Sequence, residues 1–364
     1  MRTTHTQRLE RWLGAAEVDR LSQSMLGWYG PPVAVAGVPG NVWAHAGGDF
    51  TGPIRAGQFC HMWDYAESRL KRWTRRQQST AHTGFSSLSD LISEATSGKR
   101  YTYQFQKVGA TGVAAVTNSL WGVGNLPAAG ANAAAAPGGT IPTDATTGAF
   151  AFTNPTSPDT QHFTVGYAIA TLANTLLLYD RLFAVNKTMA SAATEAVSGV
   201  PTRYQNQTGG TGDYIGGNFL FVVVGGTALA ATAHNWTVCL YTDQAGNSST
   251  LPSLVGNSAA IVRRLDHPAS QWFAPLAADD VGIKALTQMQ CSASVATGVI
   301  NFVMGHPIAW MPCPLVNTLC VVDGINTAFD LVRIFDDAAL AFLEVCKPAV
   351  TATTYTGMFE AVSG

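Results

Sequence analysis

The chain has 364 residues, enough to bury a sizeable hydrophobic core in two or three domains. Its 21 Lys and Arg against 23 Asp and Glu give a formal net charge of −2, which excludes a polycation. Charged residues make up only 12% of the chain, and such depletion is typical of the buried centre of a protein–protein interface. The composition therefore favours a subunit of an assembly over an ordinary apolar globular protein.

Charge is distributed unevenly along the chain. Residues 1–110 carry 13 Lys or Arg against 8 Asp or Glu, a net of +5. Residues 111–364 carry 8 against 15, a net of −7. This asymmetry predicts two parts that face different partners.

Neither targeting nor metal-binding patterns stand out. The charged N-terminus is not followed by the apolar stretch of a signal peptide. The most apolar segment, 218–233, is shorter than the roughly 20 residues that a membrane span needs. The cysteines form no C-x-x-C pair, and His306, Cys313 and Cys320 lack the spacing of zinc ligands. We therefore expect synthesis in the cytoplasm, reduced cysteines, no membrane contact, no metal and no cofactor.

Helical periodicity marks three segments of the N-terminal region, 6–26, 61–78 and 86–96. In the third, Leu88, Leu91 and Ile92 share one face, and Gly98 is expected to end the helix. Residues 101–105, YTYQF, then alternate like a strand. We predict a helical and extended region over residues 1–107.

The second helical segment contains RLKRWTRRQQ at 69–78, where positive charge is concentrated around one tryptophan. Such a cluster can grip nucleic acid, form a solvated helix face, or contact another protein. The apolar stripe through Trp73 favours a protein contact over nucleic acid, because Arg and Trp are the residues that anchor interfaces. The candidate interface residues are Trp63, Arg69, Lys71, Arg72, Trp73, Arg75, Arg76 and Trp121.

Residues 108–143 form an uncharged run of 36 residues that is rich in Ala, Gly, Pro and Asn. Such small side chains cannot bury a large core of their own. The run is either a flexible linker or an arm that orders against a neighbouring molecule, and its neutral composition favours the arm. We assign residues 108–150 to it.

Strand patterns dominate after Gly148. The candidate strands are 162–170, 174–183, 218–224, 235–242, 259–265, 283–291, 298–305, 340–346 and 355–361. Short strands separated by turn residues, without long helices between them, predict an antiparallel β-sandwich or jelly roll over residues 151–364. The fold class is thus mainly β, with an α-containing N-terminal region.

Two hairpins and one insertion are expected within this region. The first hairpin turns at residues 243–247, with Gly246 at positive φ. The second joins segment 283–291 to segment 298–305 through a short loop. A helical insertion is expected near Phe335–Leu343.

The sequence contains no catalytic signature. There is no G-x-S-x-G elbow, and GVGNLP at 122–127 lacks the third glycine of a phosphate loop. The acidic pairs Asp279–Asp280 and Asp336–Asp337 are adjacent in sequence, so on a strand their side chains would point to opposite faces. The first pair reads as turn chemistry before a strand. We name no catalytic residue and expect no enzymatic activity.

Several phrases, taken in order, resemble a family of virion structural proteins of tailed bacteriophages. They are SLWGVGNLPAAG at 119–130, TTGAFAF at 146–152, TLLLYDRLF at 175–183, WTVCLYTDQAGNSST at 236–250, APLAADDVGIKALTQMQC at 274–291 and ATGVINFVM at 296–304. The resemblance covers roughly residues 86–310 and leaves out the basic helix. It implies a particle component in many copies, without enzymatic activity or cofactor. A major capsid protein would have a long spine helix in mid-chain, so a head-associated decoration or cement role is favoured.

The expected localisation is therefore the virion, after synthesis in the host cytoplasm. The expected partners are further copies of the chain, as a homo-oligomer and provisionally a trimer, and other virion proteins, chiefly the major capsid protein. One alternative is a tail or neck module that binds a receptor or glycan, which clustered loop aromatics would favour. Another is an envelope-degrading enzyme, which would need two carboxylates converging in a cleft.

Overall fold

The computed structural model describes residues 84–109, 111, 114–205, 217–268, 271–325, 331–347 and 350–364. The helices predicted at 6–26 and 61–78 lie outside these residues. The described chain is mainly β, as predicted, and its strands form antiparallel sheets. In chain order the elements are α1 (Leu88–Thr96), β1 (Arg100–Val108), β2 (Val116–Ser119), β3 (Gln161–Ala170), β4 (Asn174–Thr188), β5 (Glu195–Ala196), β6 (Phe219–Val224), β7 (Asn235–Asp243), β8 (Ser248–Thr250), β9 (Leu254–Val255), β10 (Ile283–Cys291), β11 (Val299–Cys313), β12 (Cys320–Asp323), β13 (Arg333–Ile334), β14 (Leu340–Lys347) and β15 (Thr354–Ser363).

The described strands form three sheets. Sheet I has the order β1-β15-β3-β12, and β13 also pairs with β3. Sheet II has the order β5-β10-β7-β8, and β9 also pairs with β7. Sheet III has the order β2-β14-β4-β11-β6. All of these pairings are antiparallel.

Two kinds of strand form the hydrophobic core: strands buried on one face and strands buried on both faces. In β1 the side chains alternate, so Tyr103 and Phe105 point inward while Gln104 and Gln106 remain exposed. In β4 almost every residue is buried, which is the pattern of a strand covered on both faces. One large cluster of buried side chains includes residues of all three sheets. A second cluster, which contains Trp121 and Tyr179, includes the alternate residues of β4.

Helix α1 confirms the short helix predicted near Ser86. The Ser87 hydroxyl caps it by accepting a hydrogen bond of 3.1 Å from the Asp90 N–H. Beyond its last turn, Gly98 has a φ of +97°, the left-handed conformation expected of a glycine there. The predicted apolar face is buried only in part, because Leu91 is covered whereas Leu88 and Ile92 are exposed.

The first predicted hairpin is confirmed and the second is wrong. Strands β7 and β8 pair across a turn in which Gly246 has a φ of +91°. Strands β10 and β11 belong to different sheets: β10 pairs with β7 and β5, whereas β11 pairs with β4 and β6. The connecting residues cross between sheets, and the buried Val295 donates its N–H to the Met189 carbonyl at 2.8 Å.

Two further expectations are corrected. Residues 335–343 form a turn and the start of β14 rather than a helix, because the Ala339 N–H donates to Asp180 at 2.8 Å and the chain from Leu340 onward pairs with β4. Residues 259–265 form turns with two isolated bridges instead of a strand. The apolar segment 218–233 forms the predicted strand, β6, followed by a loop. No helix within the described residues is long and apolar enough to cross a membrane.

The segment expected to be an arm lies on its own chain over its described residues. Strand β2 pairs with β14, and Thr140 and Ala184 exchange two backbone hydrogen bonds of 2.7 and 2.9 Å. The small residues permit this close approach, since a Cβ on Gly139 would lie 2.5 Å from the Phe183 ring. The further expectation, an arm that orders against a neighbouring molecule, stays a prediction. The sheets run across the compositional boundaries at 107/108 and 150/151.

A buried charge network fixes the beginning of β7. The fully buried Asp266 accepts hydrogen bonds of 2.8 Å from both His234 Nε2 and Trp236 Nε1. The second His234 ring nitrogen, Nδ1, faces the Thr232 carbonyl at 3.1 Å. Both ring nitrogens therefore face acceptors, an arrangement that favours the imidazolium form of His234, in which both nitrogens donate. Burial alone would lower the pKa of His234, but the hydrogen bond and charge of Asp266 raise it above 6.5.

This pair makes stability depend on pH. A histidine whose folded-state pKa is raised stabilises the protein fully below its unfolded pKa, and that stabilisation is lost as pH rises through the folded pKa. We expect His234→Gln to lower the free energy of unfolding by about 1–2 kcal/mol more at pH 6 than at pH 9, the order of a charged hydrogen bond. Urea unfolding at both pH values measures this.

The matched control is Trp236→Phe, which removes a neutral donor to the same Asp266 oxygen. Its effect on the free energy of unfolding should be the same at both pH values. An equal effect of His234→Gln at pH 6 and pH 9 would contradict the imidazolium assignment.

Candidate assembly surface

An uncharged and mostly apolar area covers part of the outer face of sheet I. The register places Val321, Tyr167, Met358 and Gln104 side by side across the four main strands. Side chains opposite each other in register project from the same face of a sheet. Their inward neighbours, including Phe359, are buried in the core, so this row faces outward.

Most of these outward side chains are large and apolar. Val321 is 53% exposed, Ile169 38% and Met358 37%, and Leu319 at the entry to β12 is 56% exposed. The loop before it adds Leu315 and Val316, which are also exposed. We name this set the sheet I face: Tyr167, Ile169, Leu315, Val316, Leu319, Val321 and Met358. Contiguous apolar area of this kind marks sites of protein–protein contact.

Polar residues border the sheet I face on two sides. The next row of the sheet contains Asp323, Val165, Glu360 and Thr102, of which only Val165 is apolar, and Glu360 lies 3.9 Å from Arg100 in a partly exposed ion pair. The exposed outward residues of strand β1 are all polar or charged, and Gln104 is one of them. An apolar centre within a polar border is the arrangement of an interface.

The remaining border of the sheet I face is the edge strand β12. Among the described strands, β12 pairs only with β3. The preceding loop is held in place by the Asn317 N–H, which donates to the Ala170 carbonyl at 2.8 Å. An edge strand with exposed apolar side chains can accept a further strand or sheet from another molecule.

A second exposed aromatic group lies against sheet III. The rings of Trp272 and Trp310 meet edge to face with centroids 5.0 Å apart, and Phe273 contacts Trp272 at 4.7 Å. Trp310 and Phe273 are each 40% exposed. Phe219 supports Trp272 from below at 4.9 Å. We name Trp272, Phe273 and Trp310 the aromatic cluster.

Trp121 is buried in its own chain. Only 7% of it is exposed, its Nε1 donates to the Ala131 carbonyl at 2.9 Å, and the Arg181 guanidinium lies 4.6 Å from its ring centroid. A Cβ on Gly130 would come within 2.3 Å of the indole, so glycine is needed there. Trp121 therefore packs as a core residue and offers little surface to a partner. The other candidates, Trp63, Arg69, Lys71, Arg72, Trp73, Arg75 and Arg76, lie outside the described residues.

The acidic pairs serve turns. Asp279 and Asp337 have φ values of +72° and +57°. The Tyr241 hydroxyl donates to Asp280, and the Asp337 N–H donates to Asn154 Oδ1 at 2.8 Å. Both contacts fix local backbone geometry, as expected for turn residues.

His306, Cys313 and Cys320 all pack against neighbouring side chains. His306 stacks on Tyr204 with centroids 4.0 Å apart and donates from Nδ1 to Asn218 Oδ1 at 2.7 Å. Burial lowers the pKa of His306 to about 4 and raises that of Cys313 to about 12. Within the described residues, no three His, Cys, Asp or Glu side chains gather in a metal-binding arrangement.

Comparisons with protein-family models, curated proteins and solved structures found no match to this chain. Membership of a phage virion family therefore stays a prediction from the sequence phrases. The sheet I face and the aromatic cluster are the surfaces on which a function can be built.

Proposed function

We propose that this protein is a non-enzymatic structural component of a tailed-bacteriophage particle. In this proposal it is a head-associated decoration or cement protein that assembles with further copies of itself through the sheet I face. The N-terminal residues, with their excess of positive charge, dock on an acidic surface of another shell protein, chiefly the major capsid protein. The phage assignment comes from the sequence phrases, and the assembly role has separate support in the structure.

The observation that carries the assembly role is the sheet I face itself. Val321 and Leu319 each leave more than half of their surface exposed, and no charged side chain interrupts the row through Tyr167 and Met358. Burying such area contributes about 25 cal/mol for each Å² removed from water. Apolar area that stays in water promotes aggregation, whereas a specific contact with a partner removes that area from water.

A second copy of the chain is the proposed occupant. The apolar row contains no charge that would select a partner of opposite sign, so its complement is another uncharged apolar face. The low charged fraction of the whole chain, 12%, agrees with a subunit surrounded by its own copies. Symmetric homo-oligomers are the commonest assemblies of this kind. A trimer is the state we propose.

The finer fold is part of the same proposal. Phe105 of sheet I contacts Phe342 of sheet III with ring centroids 4.7 Å apart, and Phe150 contacts both Phe342 and Phe359. These contacts support an antiparallel β-sandwich in which sheets I and III face each other. A jelly-roll order of the connections is its most specific form.

Sedimentation of the purified full-length chain over a wide concentration range tests the assembly role. Discrete oligomers that dissociate on dilution are expected, and their mass distinguishes a trimer from a dimer. A monomer at every concentration would rule out the proposed use of the sheet I face. Antibody labelling of purified phage particles tests the virion assignment separately.

The alternative function, a module that binds a receptor or glycan, is favoured by one observation. The aromatic cluster exposes Trp310 and Phe273 side by side, and aromatic rings of this kind provide apolar contact area with a polar edge. In that case Trp310→Ala should weaken binding to a host surface glycan about tenfold, equivalent to about 1.4 kcal/mol.

A glycan array followed by titration of the best ligand measures this effect. Val255→Ala is the matched control, because Val255 is also an exposed apolar residue but lies in β9 of sheet II. If no glycan binds, or if Trp310→Ala binds as well as the unchanged protein, the alternative fails.

A further inference from the structure

A pocket of about 270 Å³ lies beside Trp121 on sheet III. Its walls come from the segment that the sequence indicates as an arm and from strand β4. The lining residues are Trp121, Ala131, Asn132, Ala133, Thr140, Pro142, Thr146, Thr147, Arg181 and Ala184. The volume is near the lower end of the range for small-molecule sites and suits a ligand about as large as one sugar unit.

Arg181 brings a buried positive charge to this pocket. Only 3% of Arg181 is exposed, and this part of the side chain lines the pocket. Its Nη1 points into the core, where the Tyr179 hydroxyl is a neutral polar neighbour that does not balance the charge. Its guanidinium lies 4.6 Å from the Trp121 ring centroid. None of the described carboxylates forms an ion pair with Arg181, whereas Arg203 is paired with Asp180. A buried cation is strongly stabilised by an anion that reaches it, because it has lost its water.

Two threonines add further donors. Thr140 Oγ1 accepts a hydrogen bond of 2.9 Å from the Ala134 N–H, and Thr146 Oγ1 accepts one of 2.9 Å from the Thr143 N–H. Since each oxygen already accepts from the backbone, its own O–H is available to donate. The pocket therefore combines one guanidinium with two hydroxyl donors, an arrangement suited to an acceptor-rich ligand.

We propose that this pocket binds a small molecule bearing one carboxylate, of the size of a monosaccharide acid. Arg181 would bind the carboxylate, and Thr140 and Thr146 would donate to its oxygens or to neighbouring hydroxyl oxygens. A single guanidinium balances one negative charge, which favours a carboxylate over a doubly charged phosphate. The site lies on sheet III and does not depend on assembly through the sheet I face.

Calorimetric titration of the full-length protein tests this proposal with three probes: glucuronate, glucose and acetate. Saturable binding of glucuronate, at least tenfold tighter than that of glucose, is expected because the two differ in the carboxylate. Acetate distinguishes the source of the ligand. If acetate binds as tightly as glucuronate, the ligand is a simple carboxylate. If acetate binds more weakly, the ligand is a sugar acid.

Two variants locate the binding. Arg181→Met keeps the length of the side chain and removes its charge, so glucuronate should bind at least tenfold more weakly. Asn132→Asp, on the exposed wall, retains an oxygen that can accept from Asn301 Nδ2 but places a negative charge in the pocket. Asn132→Asp should also weaken glucuronate binding tenfold. If Arg181→Met does not fold, the result for Asn132→Asp alone shows whether glucuronate binds in this pocket. The proposal is overturned if neither acid binds or if glucose binds as tightly as glucuronate. It is also overturned if the folded variants bind glucuronate as tightly as the unchanged protein does.

Discussion

Replacing Val321 by aspartate is expected to convert the assembled protein into monomers. Val321 lies on the edge strand β12 and is 53% exposed, with Tyr167 and Met358 beside it in the same row. If a second copy covers this row, the new carboxylate is buried without a partner, which costs several kcal/mol. We expect association to weaken at least about a hundredfold, equivalent to about 2.8 kcal/mol. Sedimentation equilibrium of the full-length variant measures the dissociation constant.

Gln104→Asp is the matched control for this substitution. Gln104 lies in the same row of sheet I but on β1, at the polar border. Its change should alter association by less than a factor of about five, because an exposed charge at an interface rim has little effect on affinity. Equal oligomers for Val321→Asp and the unchanged protein would contradict the proposal. If Val321→Asp leaves the oligomers unchanged but residues 1–83 are cleaved faster than in the unchanged protein, the occupant of the sheet I face is the chain's own N-terminal part instead of a second copy.

Local patterns in the sequence predicted most strands but not their partners. The segment 283–291 coincides with β10, and the turn at 243–247 has the predicted glycine geometry. The hairpin predicted between β10 and β11 is wrong, because alternation within a strand carries no information about which sheet it joins. Residues 335–343 were similarly ambiguous: a run of Ala and Leu suits a helix, and here burial and the Asp180 hydrogen bond to Ala339 decide for a turn and a strand.

The candidate sites were harder to predict than the fold. Val321 and Ile169 have the residue types of core positions, so their exposure on sheet I is visible only once the register is known. The loop sequence PLVNTLCVV does contain a signal, since five large aliphatic residues follow a proline without any charge. The basic segment at 69–78 was prominent because charge is visible in sequence, yet it lies outside the described residues.

The adjacent charged residues Asp180 and Arg181 are a clearer sign in the sequence, because they lie in the middle of an apolar strand. Neighbouring residues of a strand point to opposite faces, so Asp180 and Arg181 do not neutralise each other and Asp180 needs another cation. Asp180 is fully buried and receives two hydrogen bonds of 2.8 Å from Arg203, from Nε and from Nη2. It also accepts one of 2.8 Å from the Ala339 N–H. Asp180, through Arg203 and the Ala339 N–H, thereby connects β4, the loop at Arg203 and the turn before β14.

Asp180→Asn should destabilise the protein more than any other substitution predicted from the fold. The amide is nearly the same size and can still accept from the Ala339 N–H, but Arg203 keeps a buried charge without a counterion. Removing one partner of a buried ion pair lowers the free energy of unfolding by about 3–5 kcal/mol. Urea unfolding measures the loss. In contrast, Glu94→Gln breaks an ion pair of 2.8 Å with Lys99 on the surface and should cost less than about 1 kcal/mol. Equal losses for the two substitutions would mean that Arg203 finds another partner or water, and that the buried pair is not what holds these three elements together.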